Sequence, residues 1–395
     1  MPNVLTINAG SSSIRFAIFG VGQTPTRLLQ GKLDRIGSGD ASLTVGHNDS
    51  DSAQTQIKAD IKDPAAAINV LLDWLESQPL FKTLDGVGHR VVHGMLHSAP
   101  ERVTAALLDE LKSIVPFDPE HMPREIELIE ALQRRYSRLP QVVCFDTAFH
   151  RSMPRVATQL PIPRRYATKG VQRYGFHGLS YTFLMRELAR LGDPAAARGR
   201  VILAHLGSGA SLAAVRDGQC IDTSMGFTPT AGLVMGTRSG DLDPGLMSYL
   251  ALTDAMDTVQ FQTMVNHQSG MLGVSESSAD VRDLLERESS DPRAAEALAL
   301  FCYQARKWIG SFAAALGGVD TLVFAGGIGE NAAPVRKRIC DGLNFLGIEI
   351  DENANGRNAP RISTGAGSVA VRVIRTDEES VIAELSIPLL GFESV

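Results

Sequence analysis

Two arginines stand in settings unusual for a plain surface charge. Arg90 follows Gly86-Val87-Gly88-His89, and Arg238 lies within Met235-Gly236-Thr237-Arg238-Ser239-Gly240-Asp241. Glycines on the flanks imply close approach of something to the backbone, and a guanidinium fork grips carboxylate or phosphoryl oxygens with paired N–H groups. Acids accompany them: Asp146 after an apolar run, and Glu378 with Glu379 after Thr376-Asp377. A carboxylate at a strand end suits Mg²⁺ held partly through water. For Glu378 the helix dipole explains a first-turn acid equally well. His177, in Tyr174-Gly175-Phe176-His177-Gly178, and His205 lie near glycines. Each could donate to developing negative charge or be satisfied by a carbonyl in a core. His89, His93 and His97 are four apart, a metal spacing on a helix, but their glycine and β-branched neighbours argue for strand and loop.

Two turns could hold a phosphate beside these groups. Asn8-Ala9-Gly10-Ser11-Ser12-Ser13 separates the apolar runs Val4–Ile7 and Ile14–Phe19. His205-Leu206-Gly207-Ser208-Gly209-Ala210-Ser211 separates Val201–Ala204 from Leu212–Val215. Each reads as strand, tight turn, strand, with backbone N–H groups and hydroxyls available to cradle an anion. The offsets 205 − 8, 207 − 10 and 208 − 11 are each 197, about half of the 395 residues. A repeat of that length predicts two related α/β domains that offer their turns to a shared cleft. Two unrelated hairpins are the plainer alternative. A third segment, Gly326-Gly327-Ile328-Gly329, sits between a strand and a helix. Its Gly327-x-Gly329-x-x-Ala332, with Asp351 22 residues beyond Gly329, formally matches a dinucleotide fingerprint. The late position and the two other turns speak for a different ligand. The pattern Gly-x-x-x-x-Gly-Lys-[Ser/Thr] is absent.

The elements that must position these groups follow from patterning. Residues 38–62 read as hairpins and loops, and Asp63-Pro64 as the cap and first residue of a helix with Ile68, Leu71, Leu72 and Leu75 on its apolar stripe. Strands are expected at 87–92, 141–145, 321–324 and 369–374, and helices over 104–114, 123–136, 180–191, 278–288, 293–316 and 378–386. The segment 151–174 reads as a loop or connector, and 222–246 as a long functional loop. This order means α/β with mixed sheets flanked by helices. With 395 residues, 44% apolar, 21% charged and a net charge of −6, the chain fits two soluble domains and lacks the basic run a nucleic acid would need. The N-terminal stretch has no leader pattern and no apolar run is long enough for a bilayer, so a cytoplasmic location and no membrane partner are expected. The four cysteines, Cys144, Cys220, Cys302 and Cys340, are dispersed and read as buried free thiols.

Eight segments, in order along nearly the whole chain, resemble the acetate kinase family, within the wider actin-like, sugar-kinase-like group of ATPases. They are 8–13, Gly-His-Arg-Val-Val-His-Gly (88–94), Phe-Asp-Thr-Ala-Phe-His (145–150) and Arg-Tyr-Gly-Phe-His-Gly (173–178), then 205–211, Gly-Thr-Arg-Ser-Gly-Asp-Leu-Asp-Pro (236–244), Phe-Ala-Gly-Gly-Ile-Gly-Glu-Asn (324–331) and Thr-Asp-Glu-Glu (376–379). The resemblance implies duplicated actin-like (ribonuclease H-like) domains, 1–147 plus 380–395 and 148–379, the second carrying most of the nucleotide site. It implies reversible transfer of the γ-phosphoryl group of ATP to a short-chain carboxylate, acetate first, with Mg²⁺ (or Mn²⁺), in a homodimer. A propionate- or butyrate-type kinase, or a nucleotide-binding regulatory module of the same fold, is the alternative.

By position, the resemblance assigns Arg90 and Arg238 to the carboxylate and the transferring phosphoryl group, Asp146 to catalysis by orientation, and His177 to transition-state charge. Val92, Phe117, Phe176 and Pro229 are implied to form the acyl pocket, and Asn8 and Glu378 to place the metal. Nucleotide contacts are implied at Ser13, Arg15, His205, Leu206, Gly207, Ser208, Gly209, Asp280, Val281, Arg282, Gly326, Gly327, Ile328, Gly329, Glu330 and Asn331. The chain departs from the usual pattern at Arg15 (lysine), Ser208 (asparagine), and Leu179 and Tyr181 (threonine and histidine). The largest departure is Pro116-Phe117-Asp118-Pro119, where Pro-Leu-His-Asn-Pro is usual. Either Asp118 turns away from an anionic site, or His121 takes over the histidine's role.

Overall fold

The computed structural model describes residues 1–10, 13–36, 41–47, 55–58, 61 and 64–392. Ser11 and Ser12 of the first turn, the cap expected at Asp63, and parts of the 38–62 hairpins lie outside them. The chain divides into two units, Met1–Ala148 with Asp377–Val395, and Phe149–Thr376.

In the first unit the strands Asn3–Ala9 (β1), Ile14–Gly20 (β2), Thr26–Asp34 (β3), Ser42–His47 (β4), Thr55–Lys58 (β5), Leu84–Val91 (β6), Glu101–Arg102 (β7) and Gln141–Phe145 (β8) form one sheet, ordered β5-β4-β3-β2-β1-β6-β8-β7. β1 is buried along its whole length, as a strand covered on both faces must be. It runs antiparallel to β2 and parallel to β6, and β6 runs parallel to β8. Helices Pro64–Glu76 and Met122–Arg135 bury Ile68, Leu71, Leu72, Leu75, Leu128 and Leu132 in a core with Leu5, Ile7 and Phe16. The C-terminal helix Glu378–Leu390 also lies on this sheet. A Cβ on Gly86 would collide with Leu390, and one on Gly88 with Ser386 and Ile382. The close approach implied by the glycines before Arg90 is thus made by this helix, not by a ligand. The helix runs past the expected end at 386, tolerates Pro388 inside its last turn, and is terminated by Gly391 at φ 84°.

In the second unit Arg200–Leu206 (β9), Ala210–Arg216 (β10), Gln219–Thr223 (β11), Thr321–Ala325 (β12) and Ala370–Val373 (β13) are ordered β11-β10-β9-β12-β13. Helix Pro292–Leu316 has the Asp291 cap, proline at the first position and Gly317 at φ 73° that its length needs. Helix Gly178–Arg190 inserts Tyr181, Leu184 and Leu188 among Val201, Leu203, Ala213 and Val215. The glycine segment after β12 is itself a helical turn, Gly326–Asn331, because Gly326 takes φ 76° directly after the strand and the chain coils at once. The 151–174 connector contains two short helices, Arg155–Thr158 and Arg164–Ala167. Among the described residues no helix is long and apolar enough to cross a membrane.

The duplication is visible in strand direction. β3-β2-β1-β6-β8 and β11-β10-β9-β12-β13 are both antiparallel, antiparallel, parallel, parallel from left to right. The constant sequence offset slips by one at the turn. Ala9 pairs with Ile14 around four residues, and Leu206 with Ala210 around three.

Candidate active site

In the first unit, adjacent parallel strands bring Arg90 and Asp146 together, with Arg90 opposite Cys144 and Asp146 just beyond Phe145. Arg90 Nε and Nη2 donate to Asp146 Oδ2 at 3.1 and 2.7 Å, and Nη1 donates to the Ala9 carbonyl at 3.1 Å and to Glu125 Oε1 at 3.4 Å. Burial opposes the charge on Arg90, but Asp146, Glu125 and Glu378 outweigh it and hold its pKa above the usual value. The guanidinium is therefore a fixed cation aimed by one carboxylate.

Glu125 was not singled out by sequence. It is 2% exposed, and its Oε2 accepts the Val92 N–H at 2.9 Å. Burial pushes its pKa up to about 8; Arg90 and the Val92 N–H pull it down, and Asp118 and Asp146 push it further up. The overlooked signal is periodicity. Glu125 falls between Met122 and Ile129 on the apolar stripe of helix Met122–Arg135, where a charge is out of place.

Asp118 and His121 are both buried, and His121 Nδ1 lies 2.9 and 3.1 Å from the two Asp118 oxygens. The acid in the altered loop is thus turned onto the histidine three residues later. Val92 is 1% exposed, and Phe117 is half-buried with its ring 5.6 Å from that of His93.

At the end of β1, Asn8 Nδ2 donates to Glu378 Oε2 at 2.7 Å and to Glu379 Oε1 at 3.3 Å. Burial raises the pKa of both acids. Asp146 adds to the effect on Glu378, while Arg90, Arg15 and Asn8 counter it; Arg15 counters it on Glu379. Gly10 N–H donates to the Ser13 carbonyl at 2.8 Å, and Arg15 is exposed.

In the second unit the groups converge on a turn. Gly207 N–H donates to the Gly209 carbonyl at 3.0 Å, which closes the turn after Leu206 and leaves Ser208 exposed. A Cβ on Gly209 would lie 3.3 Å from His177 Nε2 and 3.6 Å from Arg238 Nη1. A Cβ on Gly207 would lie 3.8 Å from His205 Nε2 and 3.9 Å from Gly327 N. The turn therefore meets His177, Arg238 and the Gly326–Asn331 segment. His177 adopts φ 59°, a left-handed conformation costly for a residue with a side chain and typical of functional positions. Its Nδ1 is 2.9 Å from Ser211 Oγ, and its ring stacks 4.3 Å from that of His205, whose Nδ1 is 2.8 Å from Ser180 Oγ.

Arg238 Nη1 donates to the Pro229 carbonyl at 3.1 Å, and Gly236 N–H donates to the Ser208 carbonyl at 3.1 Å. The glycines around Arg238 thus answer to neighbouring loops. Gly236 faces Ser208 and Ala279, and Gly240, at φ 73°, faces Gly232 and Leu233. Glu330 Oε1 accepts the N–H groups of Gly326 at 3.0 Å and Thr376 at 3.1 Å, and Asn331 Nδ2 donates to the Gly327 carbonyl at 3.0 Å; Ile328 is half-buried. Asp280 caps the helix Val281–Arg287 and pairs with Arg282 at 2.6 Å, one residue beyond Ala279. Phe176 is 1% exposed, and its carbonyl faces His150 Nε2 at 2.9 Å.

Outside the site, His89 pairs with Gln141 within the sheet, and His97 bonds Glu110 and Glu101. The four cysteines are buried free thiols.

Residues 3–384 match the family model described as the Acetokinase family. The chain is 42% identical over 387 residues to an acetate kinase of Rhodopseudomonas palustris, covering 96% of each chain. It is 41% identical to a propionate kinase of Citrobacter rodentium, covering 96% of this chain and 95% of that one. The structure of Porphyromonas gingivalis acetate kinase superposes with a TM-score of 0.86 at 32% identity, covering 99% of this chain and all of that one. The chain belongs to the acetokinase family.

Proposed function

We propose that the protein transfers the γ-phosphoryl group of ATP to a short-chain carboxylate, giving an acyl phosphate and ADP, reversibly and with acetate as the preferred acid. A carboxylate oxygen attacks the γ-phosphorus, the bond to the β,γ-bridging oxygen breaks, and its electron pair leaves with ADP. The nucleophile is already ionised at neutral pH, so no strong general base is needed. The barrier comes from bringing anions together, and fixed cations and backbone donors lower it. The observation that carries this reading is the convergence of His177 Nε2 and Arg238 Nη1 on Gly209 of a glycine turn.

Arg238 and His177 would neutralise the phosphoryl oxygens in flight, while the 205–209 turn and the 326–331 segment hold the phosphates. The 280–282 segment lies along the adenosine. Arg90, aimed by Asp146, binds the acid, and Val92 and Phe117 of the same unit give its alkyl tail an apolar wall.

The carboxylate of Glu378 beside Asn8 suits Mg²⁺. Glu379 and Asp146 are buried and Glu378 is half-buried, three acids against Arg90 and Arg15, and a hard ion with mostly water and phosphate ligands needs few protein oxygens. Bound there, the ion would screen the charge of the β- and γ-phosphates.

A homodimer fits the exposed helix Gly245–Thr253, which buries none of its residues and leaves Tyr249 and Leu252 exposed. A second copy of this chain is the occupant we assign to that face. A cytoplasmic setting accords with the buried free thiols.

The test is acyl hydroxamate formation from ATP, Mg²⁺, hydroxylamine and each acid from formate to butyrate. Acetate and propionate should give product. Absence of product from every acid overturns the proposal.

A further inference from the structure

The five N–H groups of Arg90 can be followed one by one. Nε and one Nη2 N–H go to Asp146, and the two of Nη1 go to the Ala9 carbonyl and Glu125. One Nη2 N–H remains. An end-on grip on an organic acid takes one N–H from each terminal nitrogen, so the acid must share or displace a partner of Nη1. Glu125 is that partner. Its 3.4 Å contact is the longest of the four, and the same carboxyl is held from its other oxygen by Val92 N–H at 2.9 Å. It can loosen its hold on Nη1 without losing its place.

Resting on the reading of Arg90 as the acid-binding residue, we propose that Glu125 is a positioning residue that gates Arg90. As a carboxylate it occupies the Nη1 edge and opposes the incoming acid; as a neutral acid it yields that edge.

The surroundings set where the gate turns. Arg90 faces Glu125 from β6 and favours its charge, as does the Val92 N–H. Asp146, beyond β8, and Asp118, in the loop ahead of the helix and paired with His121, oppose it. Glu378, on the C-terminal helix, acts on Arg90, and His93 feels Asp118. Burial is the largest influence, and places the transition at about 8. On the helix itself, Arg124 reaches the Gly10 carbonyl and feels Glu127. The neighbouring helices Ala105–Ser113 and Pro64–Glu76 pair with it further along, through Lys112 to Glu130 and through Asp73 and Glu76 to Arg135. His89, on β6, is occupied by Gln141. With Glu125 ionised, a bound acid would be the third carboxylate around one guanidinium; with Glu125 neutral, it is the second.

The experiment compares wild type with Glu125→Gln, whose amide oxygen can still accept from Val92. In wild type the KM for acetate should rise about tenfold from pH 7 to pH 9, while the KM for ATP follows the same course in both proteins. In Glu125→Gln the acetate KM should change less than about twofold over that range. A flat acetate KM in an active wild type, or an equal rise in the variant, overturns the gate and leaves the kinase reading intact.

A second readout does not need turnover. The ¹³C carboxyl resonance of Glu125, assigned by its loss in the variant, should titrate near pH 8 and move to higher pH when acetate binds, by linkage. No titration between pH 6 and 10, or no response to acetate, also overturns it. Failure of every acid to give product would sink the kinase reading separately.

Discussion

The two units repeat one five-stranded frame but furnish it differently. At the ends of β1, β6 and β8 the first unit gathers charge: Arg90 between Asp146 and Glu125, with Asn8 beside Glu378 and Glu379. At the ends of β9 and β12 the second unit gathers backbone and imidazole: a three-residue glycine turn, His177 stacked on His205, and the helical turn Gly326–Asn331. Buried cations show the same contrast. Arg90 is matched by carboxylates. Arg336, fully buried in the second unit, is solvated by Asn355 Oδ1, the Asn355 and Gly329 carbonyls and Asn358 Oδ1 at 2.6–2.8 Å. The frame repeats while the strand ends differ, carboxylates around a guanidinium in one unit and glycine turns with imidazoles in the other, a division to which the proposed function assigns the organic acid and metal on one side and the phosphates on the other.

The largest test of that division is removal of the two arginines. Arg90→Ala and Arg238→Ala should each lower kcat/KM by about 10³-fold, since under the proposed function each deletes a charge-assisted grip on a reacting anion. The contrast lies in how the loss is distributed. Arg90→Ala should chiefly raise the KM for the acid, and Arg238→Ala should chiefly lower kcat. Steady-state kinetics on folded variants decides it; full activity in either removes that residue from the mechanism.

The paired glycines sharpen the comparison. Among the described residues a Cβ on Gly10 meets only Ser13 atoms, at 3.4 Å and beyond, whereas one on Gly209 crowds His177 and Arg238. Gly209→Ala should therefore reduce kcat about tenfold, and Gly10→Ala about threefold or less, with unchanged melting temperatures. Equal effects would mean that the second turn is no closer to the chemistry than the first.

Much of this was legible in the sequence because it lies in local pattern. The Gly/Ser turns, the apolar stripe Ile68, Leu71, Leu72 and Leu75 and the apolar strands are written in neighbouring residues. What was not legible depends on distant ones. The glycines at 86 and 88 implied close approach, but only the helix some 300 positions later shows what approaches. Glu125 stood in plain view on an apolar stripe, yet its partner Arg90 is 35 residues away. The acid at 118 is read either way from its neighbours, and its pairing with His121 is a property of the folded loop.

Arg336→Met tests the buried cation held by amide and carbonyl oxygens. Burial already lowers its pKa to about 10, and the change would strand four acceptors, two of them on Asn355. A loss of about 3 kcal/mol in urea unfolding is expected. Because Gly329 is one of the four, the KM for ATP should rise while that for acetate holds. A variant as stable as wild type would make this network dispensable.

The smallest effect is on stability against pH, and it belongs to the charged unit. Glu125 has its pKa raised in the fold from 4.5 to about 8, so the native state holds its proton more tightly than the unfolded chain does. Stability is therefore lost as pH rises from about 4.5 towards 8. His89 and His93 act on the other side. Burial lowers both from 6.5 to about 4, against Gln141 for His89 and Asp118 for His93, so their contribution is present above 6.5 and lost as pH falls towards 4. Glu125→Gln should raise the melting temperature by a few degrees at pH 9, little at pH 5, and leave the acid limb where it is. A variant curve parallel to wild type from pH 4 to 9 would show that Glu125 is not held under strain beside Arg90. The charged half would then tolerate its acids as easily as the glycine half tolerates its backbone amides.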